Sequence, residues 1–144
     1  MLFNMMKKVI YGVVWVSVVS LLTCNLFAKD EPKLDPSKLP AASDKTGLAY
    51  DKDIKPIFEK SCFKCHGSEK QKGKLRVDSL AAVLKGGEDG KILEPGNSAK
   101  SLVVYAVARV CVDEDSFMPP EDKGKPLTKE QVGLIRAWID QGAK

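Results

Sequence analysis

Two cysteines and the only histidine of the chain fall in one short run, Cys62-Phe63-Lys64-Cys65-His66. This spacing is the attachment signature of a c-type haem. Two thiols three positions apart on one helical turn can add to the two vinyl groups along one porphyrin edge. The adjacent imidazole then meets the iron from one face. Three other readings use some of the same residues. Structural zinc takes four ligands, commonly from two paired motifs, whereas this chain offers one pair, His66 and the isolated Cys111. A thioredoxin-like dithiol sits at the start of a helix, where the dipole lowers the thiol pKa, but Cys62 and Cys65 lie at the far end of a predicted helix. A structural disulfide would leave His66 without a role. One covalently attached haem is the reading that uses all three residues, with Cys62 and Cys65 as attachment points and His66 on the metal.

A haem iron has a sixth position. With one histidine in the sequence, two-histidine ligation within one chain is excluded by counting. Past the first 28 residues Met118 is the only methionine, and it stands in Phe117-Met118-Pro119-Pro120. The two prolines fix the backbone and preclude helix there. A thioether is soft and neutral, and His/Met ligation raises the reduction potential of an electron-transfer haem. Met118 as core filler is the competing reading; against it stand the charged neighbours Asp113, Glu114, Asp115, Glu121 and Asp122. Without Met118 the iron site would be open or take a lysine or Cys111. A peroxidase, or a haem-bearing subunit of a larger oxidoreductase, is therefore the enzymatic alternative. No general base is left once His66 is used, and no Ser-His-Asp arrangement is available, so the expectation is a carrier rather than an enzyme.

These side chains need elements to position them. Ile54, Ile57, Phe58 and Cys62 recur on one face of a helix. With Asp53 or Lys52 as N-cap, Pro56 falls in the first turn, where no intrahelical N–H is needed; Gly67 marks the end just after His66. Asp78 is expected to cap a second helix through Leu84, stopped by Gly86-Gly87. A third helix, Ala99–Arg109, opens at Asn97 or Ser98. Its apolar stretch Leu102–Ala108 would also suit a buried strand, but no second run offers a partner. Thr128 and Gln131 form a capping box, followed by the stripe Val132, Ile135, Trp138 and Ile139. A domain of roughly 95 residues has a modest core, and a covalent cofactor would staple it.

The chain has 144 residues, 29% of them charged and 44% hydrophobic, with a formal charge of +4. Met1–Lys8 is basic, Val9–Leu22 is apolar and uncharged, and Ala28 precedes Lys29-Asp30-Glu31. That order reads as a secretory signal over residues 1–28, cleaved after Ala28. Val9–Phe27 spans 19 residues, close to the ~20 a membrane helix needs, so an uncleaved anchor competes. Leu21-Leu22-Thr23-Cys24 is similar to a lipoprotein box with Cys24 lipidated, although Thr23 departs from the usual small residue. All three readings place the domain outside the cytoplasm, in the periplasm or otherwise exported, and the last two tether it to a membrane. Residues 29–47, with three prolines, read as an extended linker, and the domain as residues 48–144. Without the leader the charge is about +2, which excludes a nucleic-acid binder working through a basic face and a disordered polyelectrolyte.

An ordered set of segments carries a resemblance: Ile54-Lys55-Pro56-Ile57-Phe58, Cys62 to Gly67, Gly73 to Asp78, Gly86-Gly87, Glu94-Pro95-Gly96, Met118-Pro119-Pro120, and Leu127-Thr128 with Trp138 to Ala143. Together they resemble the cytochrome c superfamily, specifically the small monohaem domains of Planctomycetes and Verrucomicrobia. The resemblance implies an all-α, small class I cytochrome c-like fold, with several short helices around one covalent haem. It implies that the first and last helices cross beside the haem edge, packing Phe58 against Trp138, and that His66 and Met118 are the axial pair. It also implies single-electron transfer between redox protein partners. Arg76 is a candidate partner for a haem propionate, or else a solvated surface arginine. Lys70, Lys72 and Lys74 form a docking rim for an acidic partner, or a solvated run. Cys111 has no role in this pattern.

Overall fold

Pro56 decides where the first helix can begin. The computed structural model describes residues 34–111 and 113–144; the readings of cleavage, anchoring and lipidation fall outside them. Among the described residues five short α-helices follow in order: α1 (Lys55–Ser61), α2 (Phe63–His66), α3 (Leu80–Lys85), α4 (Leu102–Ala108) and α5 (Lys129–Asp140). Among the described residues there is no strand, only the isolated bridges His66–Gln71 and Gly87–Gly90. The class is all-α, as expected.

The helix boundaries show where tertiary contacts override local signals. Neither Asp53 nor Lys52 caps α1. A π-helical turn, Tyr50–Ile54, leads into it, and Ile54 takes the cap position with Pro56 in the first turn. Cys62 interrupts the helix at φ −125° and ψ −35°, and α2 resumes beyond it. Ser79, not Asp78, caps α3, its hydroxyl accepting the Ala82 N–H at 3.3 Å. The expected helix Ala99–Arg109 divides into a 3-10 turn, Ser98–Lys100, and α4. The cause is α5. The Asp140 carboxylate accepts the Ser98 N–H at 2.7 Å and its hydroxyl at 2.9 Å, while Arg136 Nε donates to the same hydroxyl at 3.2 Å. These bonds hold the 3-10 turn on the last helix. The capping box on α5 is complete, with Thr128 and Gln131 each accepting the other's backbone N–H.

Tyr50, Ile54, Phe58, Tyr105, Ile135, Trp138 and Ile139 are the largest fully buried side chains of the core. The expected Phe58–Trp138 contact is mediated by a third ring. Tyr50 lies 6.3 Å from Phe58 and 5.8 Å from Trp138 between centroids, tilted to both, a favourable arrangement for aromatic quadrupoles. Trp138 Nε1 and the Tyr50 N–H both donate to the Lys144 carbonyl at 2.9 Å, which fixes the π-helical turn against α5.

The segment read as an extended linker is corrected from its first described residue, Leu34. Residues 34–47 form a strap on α5, and one compact unit spans Lys33–Lys144. Leu39 is buried in the common core. Ser43 N–H donates to the Gly133 carbonyl at 2.9 Å, Gln141 Nε2 donates to the Lys45 carbonyl at 2.7 Å, and Arg136 donates to the Pro40 carbonyl. Its prolines suggested a spacer because they remove helix. They leave carbonyls free, and α5 supplies the donors.

Candidate functional site

His66 ends α2 and is pinned there from the next segment. The Val77 N–H donates to the His66 carbonyl at 2.8 Å, and the Val77 carbonyl in turn accepts the Tyr50 hydroxyl. A chain of backbone bonds thus ties the histidine to the aromatic centre of the core. Gly67 is required immediately after it, since a Cβ there would stand 2.6 Å from the Phe63 carbonyl oxygen. Cys62 sits behind this turn, its carbonyl accepting the N–H groups of Cys65 and His66 at 3.0 and 2.9 Å.

A cavity of about 380 Å³ opens beside α2, within the size range of small-molecule and cofactor sites. Cys65, His66 and Leu75 belong to its lining together with Gly87, Ile92 and Met118. The run that carries the cysteines and the distant methionine therefore reach one space. Met118 is partly buried against the core, and its N–H donates at 3.0 Å to the Ala106 carbonyl at the end of α4. Pro119, beside it, is buried.

Electrostatics favour neutral donors. Burial holds the His66 pKa below the ordinary imidazole value, with the Leu75 and Lys72 carbonyls pulling the other way. The imidazole is thus uncharged at neutral pH. Burial, with a smaller contribution from Cys65, pushes the Cys62 thiol up to about 12. Cys62, Cys65 and Cys111 are unbridged. Among the described residues no three His, Cys, Asp or Glu side chains cluster as a metal-binding group.

Residues 62–122 match the family described as Planctomycete cytochrome C. Over those residues the chain is similar to a cytochrome c-type domain. No curated protein and no solved structure matches the chain.

A cytochrome c-type domain implies haem c, and the residues present fit that group. The cavity brings a cysteine, a histidine and a thioether together, and His66 Nδ1 is buried without a hydrogen-bond partner. The environment of Cys62 disfavours a thiolate, the form zinc or a reactive dithiol needs, and suits a sulfur that carries no charge, as in a thioether. Cys62 itself packs against the core rather than lining the cavity, whereas Cys65 lines it.

Arg76 is a different case. Its guanidinium meets Asp78 with both prongs, Nε to Oδ1 at 3.0 Å and Nη2 to Oδ2 at 2.7 Å, and it does not line the cavity. In this structure the guanidinium is engaged by Asp78 within the chain. Of the three lysines read as a rim, Lys72 lines the cavity and Lys74 faces Glu88 at 3.8 Å.

Sequence reasoning missed Asp115, Ile92 and Lys123 as lining residues, and it missed Arg109 beside the Met118 loop. Gly73 and Gly87, which also line the cavity, stood in the segments that carry the resemblance. A Cβ on Gly87 would approach the Gly73 carbonyl oxygen to 2.7 Å.

Proposed function

We propose that the protein is an exported monohaem c-type cytochrome that carries single electrons between redox protein partners. In this reading Cys62 and Cys65 hold the haem, and His66 and Met118 hold the iron. The observation that carries it is the convergence of Cys65, His66 and Met118 on one cavity in a cytochrome c-type domain. When bound, the haem supplies one-electron redox chemistry. The chain's own contribution is positional. The Val77 backbone anchors the His66 turn, the Ala106 carbonyl anchors the Met118 N–H, and Leu75 and Ile92 bring apolar surface to the site. Residues 1–28 are the export leader or membrane tether, and the mature protein acts as a carrier rather than an enzyme.

A haem stain on a denaturing gel tests the covalent link, since only a covalent tetrapyrrole survives the treatment. Cys65→Ser should lower its intensity, and His66→Ala should change the spectrum. For Met118→Ala, the methionine-to-ferric-iron charge-transfer band should vanish and cyanide should bind fast. A wild-type protein that lacks the band and takes up cyanide as fast as Met118→Ala has an open iron site. That result would favour the peroxidase or oxidoreductase-subunit reading over the carrier.

A further inference from the structure

We propose that Arg109 is a positioning residue that holds the Met118 loop at the cavity, an inference resting on the reading of Met118 as an iron ligand. Arg109 ends α4 with φ 57° and ψ 43°, a left-handed conformation that costs a residue bearing a Cβ. Helices that end this way usually place Gly or Asn there. The arginine side chain gives a reason for the departure. Its guanidinium carbon lies 5.2 Å from the centroid of the Phe117 ring, and Nη2 lies 3.2 Å from Glu121 Oε1. Phe117 and Glu121 bracket Met118-Pro119-Pro120, so one side chain grips the loop on both sides of the thioether.

The backbone repeats the arrangement. The Ala106 carbonyl accepts the Arg109 N–H at 3.2 Å and the Met118 N–H at 3.0 Å. The left-handed turn and the ligand loop therefore share one acceptor. The Arg109 side chain is only 20% exposed, and Nε is buried without a partner, a desolvation cost that a merely solvated arginine would not carry. The two arms are unequal. Glu121 is 87% exposed, so its ion pair is screened and weak. The partly buried Phe117 face provides the stronger hold.

The test uses the haem-loaded full chain with Arg109→Gly, Arg109→Lys, Phe117→Leu and, as reference, Met118→Ala. Three quantities are read: cyanide entry into the ferric protein, the charge-transfer band, and hydrogen exchange of the Met118 amide. Arg109→Gly relieves the backbone strain and should keep the fold's thermal midpoint, yet both cyanide entry and Met118 amide exchange should quicken about tenfold. Phe117→Leu should follow it. Arg109→Lys, which keeps the charge but not the planar face, should fall between Arg109→Gly and wild type. Unchanged exchange and unchanged cyanide entry in Arg109→Gly would overturn the proposal. If the wild type itself lacks the band, the ligand reading has failed, and amide exchange still decides whether Arg109 holds the loop.

Discussion

Replacing Gly133 with alanine should destabilise the protein while its strap is present and stabilise it once the strap is gone. Gly133 lies inside α5, and a Cβ there would stand 2.6 Å from the Ala41 carbonyl oxygen and 3.5 Å from the Ser43 nitrogen. Ordinary contact requires the strap to retreat by roughly 1 Å. That stretches the 2.9 Å bond from Ser43 to the Gly133 carbonyl beyond hydrogen-bonding range and draws Leu39, 9% exposed, out of the core. One net hydrogen bond and most of a leucine's burial amount to about 3–4 kcal/mol. Alanine in a helix interior returns about 1 kcal/mol relative to glycine. The net is a loss of about 2–3 kcal/mol in the chain with its strap, against a gain of about 1 kcal/mol in a chain beginning at Leu48. Thermal unfolding of both haem-loaded forms, followed by circular dichroism, should show a midpoint lowered by about 10 °C and raised by about 5 °C respectively. The same sign in both backgrounds would refute the strap's role.

Tyr50→Phe should cost about 1–3 kcal/mol in urea unfolding, because the Val77 carbonyl it serves is buried and would lose its partner; an unchanged midpoint would show that the carbonyl finds another donor. Arg76→Ala should leave the haem spectrum and reduction potential unaltered, since Asp78 occupies its guanidinium. A shifted potential would assign Arg76 to a haem propionate.

How much of this was legible in the sequence depended on whether the deciding contact was local. The capping box at Thr128 and Gln131 involves neighbours three residues apart, and it formed as read. The apolar stripe of α1 was equally local, and its Ile54, Ile57 and Phe58 are buried. The division of the third helix was not legible, because it follows from Asp140 reaching Ser98 across 42 positions. The strap failed for the same reason. Prolines and the absence of periodicity describe a segment without its own secondary structure, and they say nothing about carbonyls that a distant arginine will use. At the site, the motif announced Cys62, Cys65 and His66. The partner of Arg76 lay two residues away and could have been found, had Asp78 not been assigned to a cap.

The costs left in the fold are informative about its purpose. Among the described residues, the buried side-chain polar atoms without a partner are His66 Nδ1 and Arg109 Nε. One belongs to the α2 turn and the other to the turn that shares its acceptor with the Met118 N–H. An unpaired buried polar group costs about 1–3 kcal/mol, a large share of the 5–15 kcal/mol that holds a domain together. Arg109 adds a left-handed backbone. Elsewhere the polar groups are well served: Tyr50 finds Val77, Trp138 finds Lys144, and Ser98 finds Asp140. Both unpartnered atoms stand in turns tied to cavity residues, one in His66 itself and the other in the turn bonded through Ala106 to Met118, and such local costs mark a place where function sets the geometry.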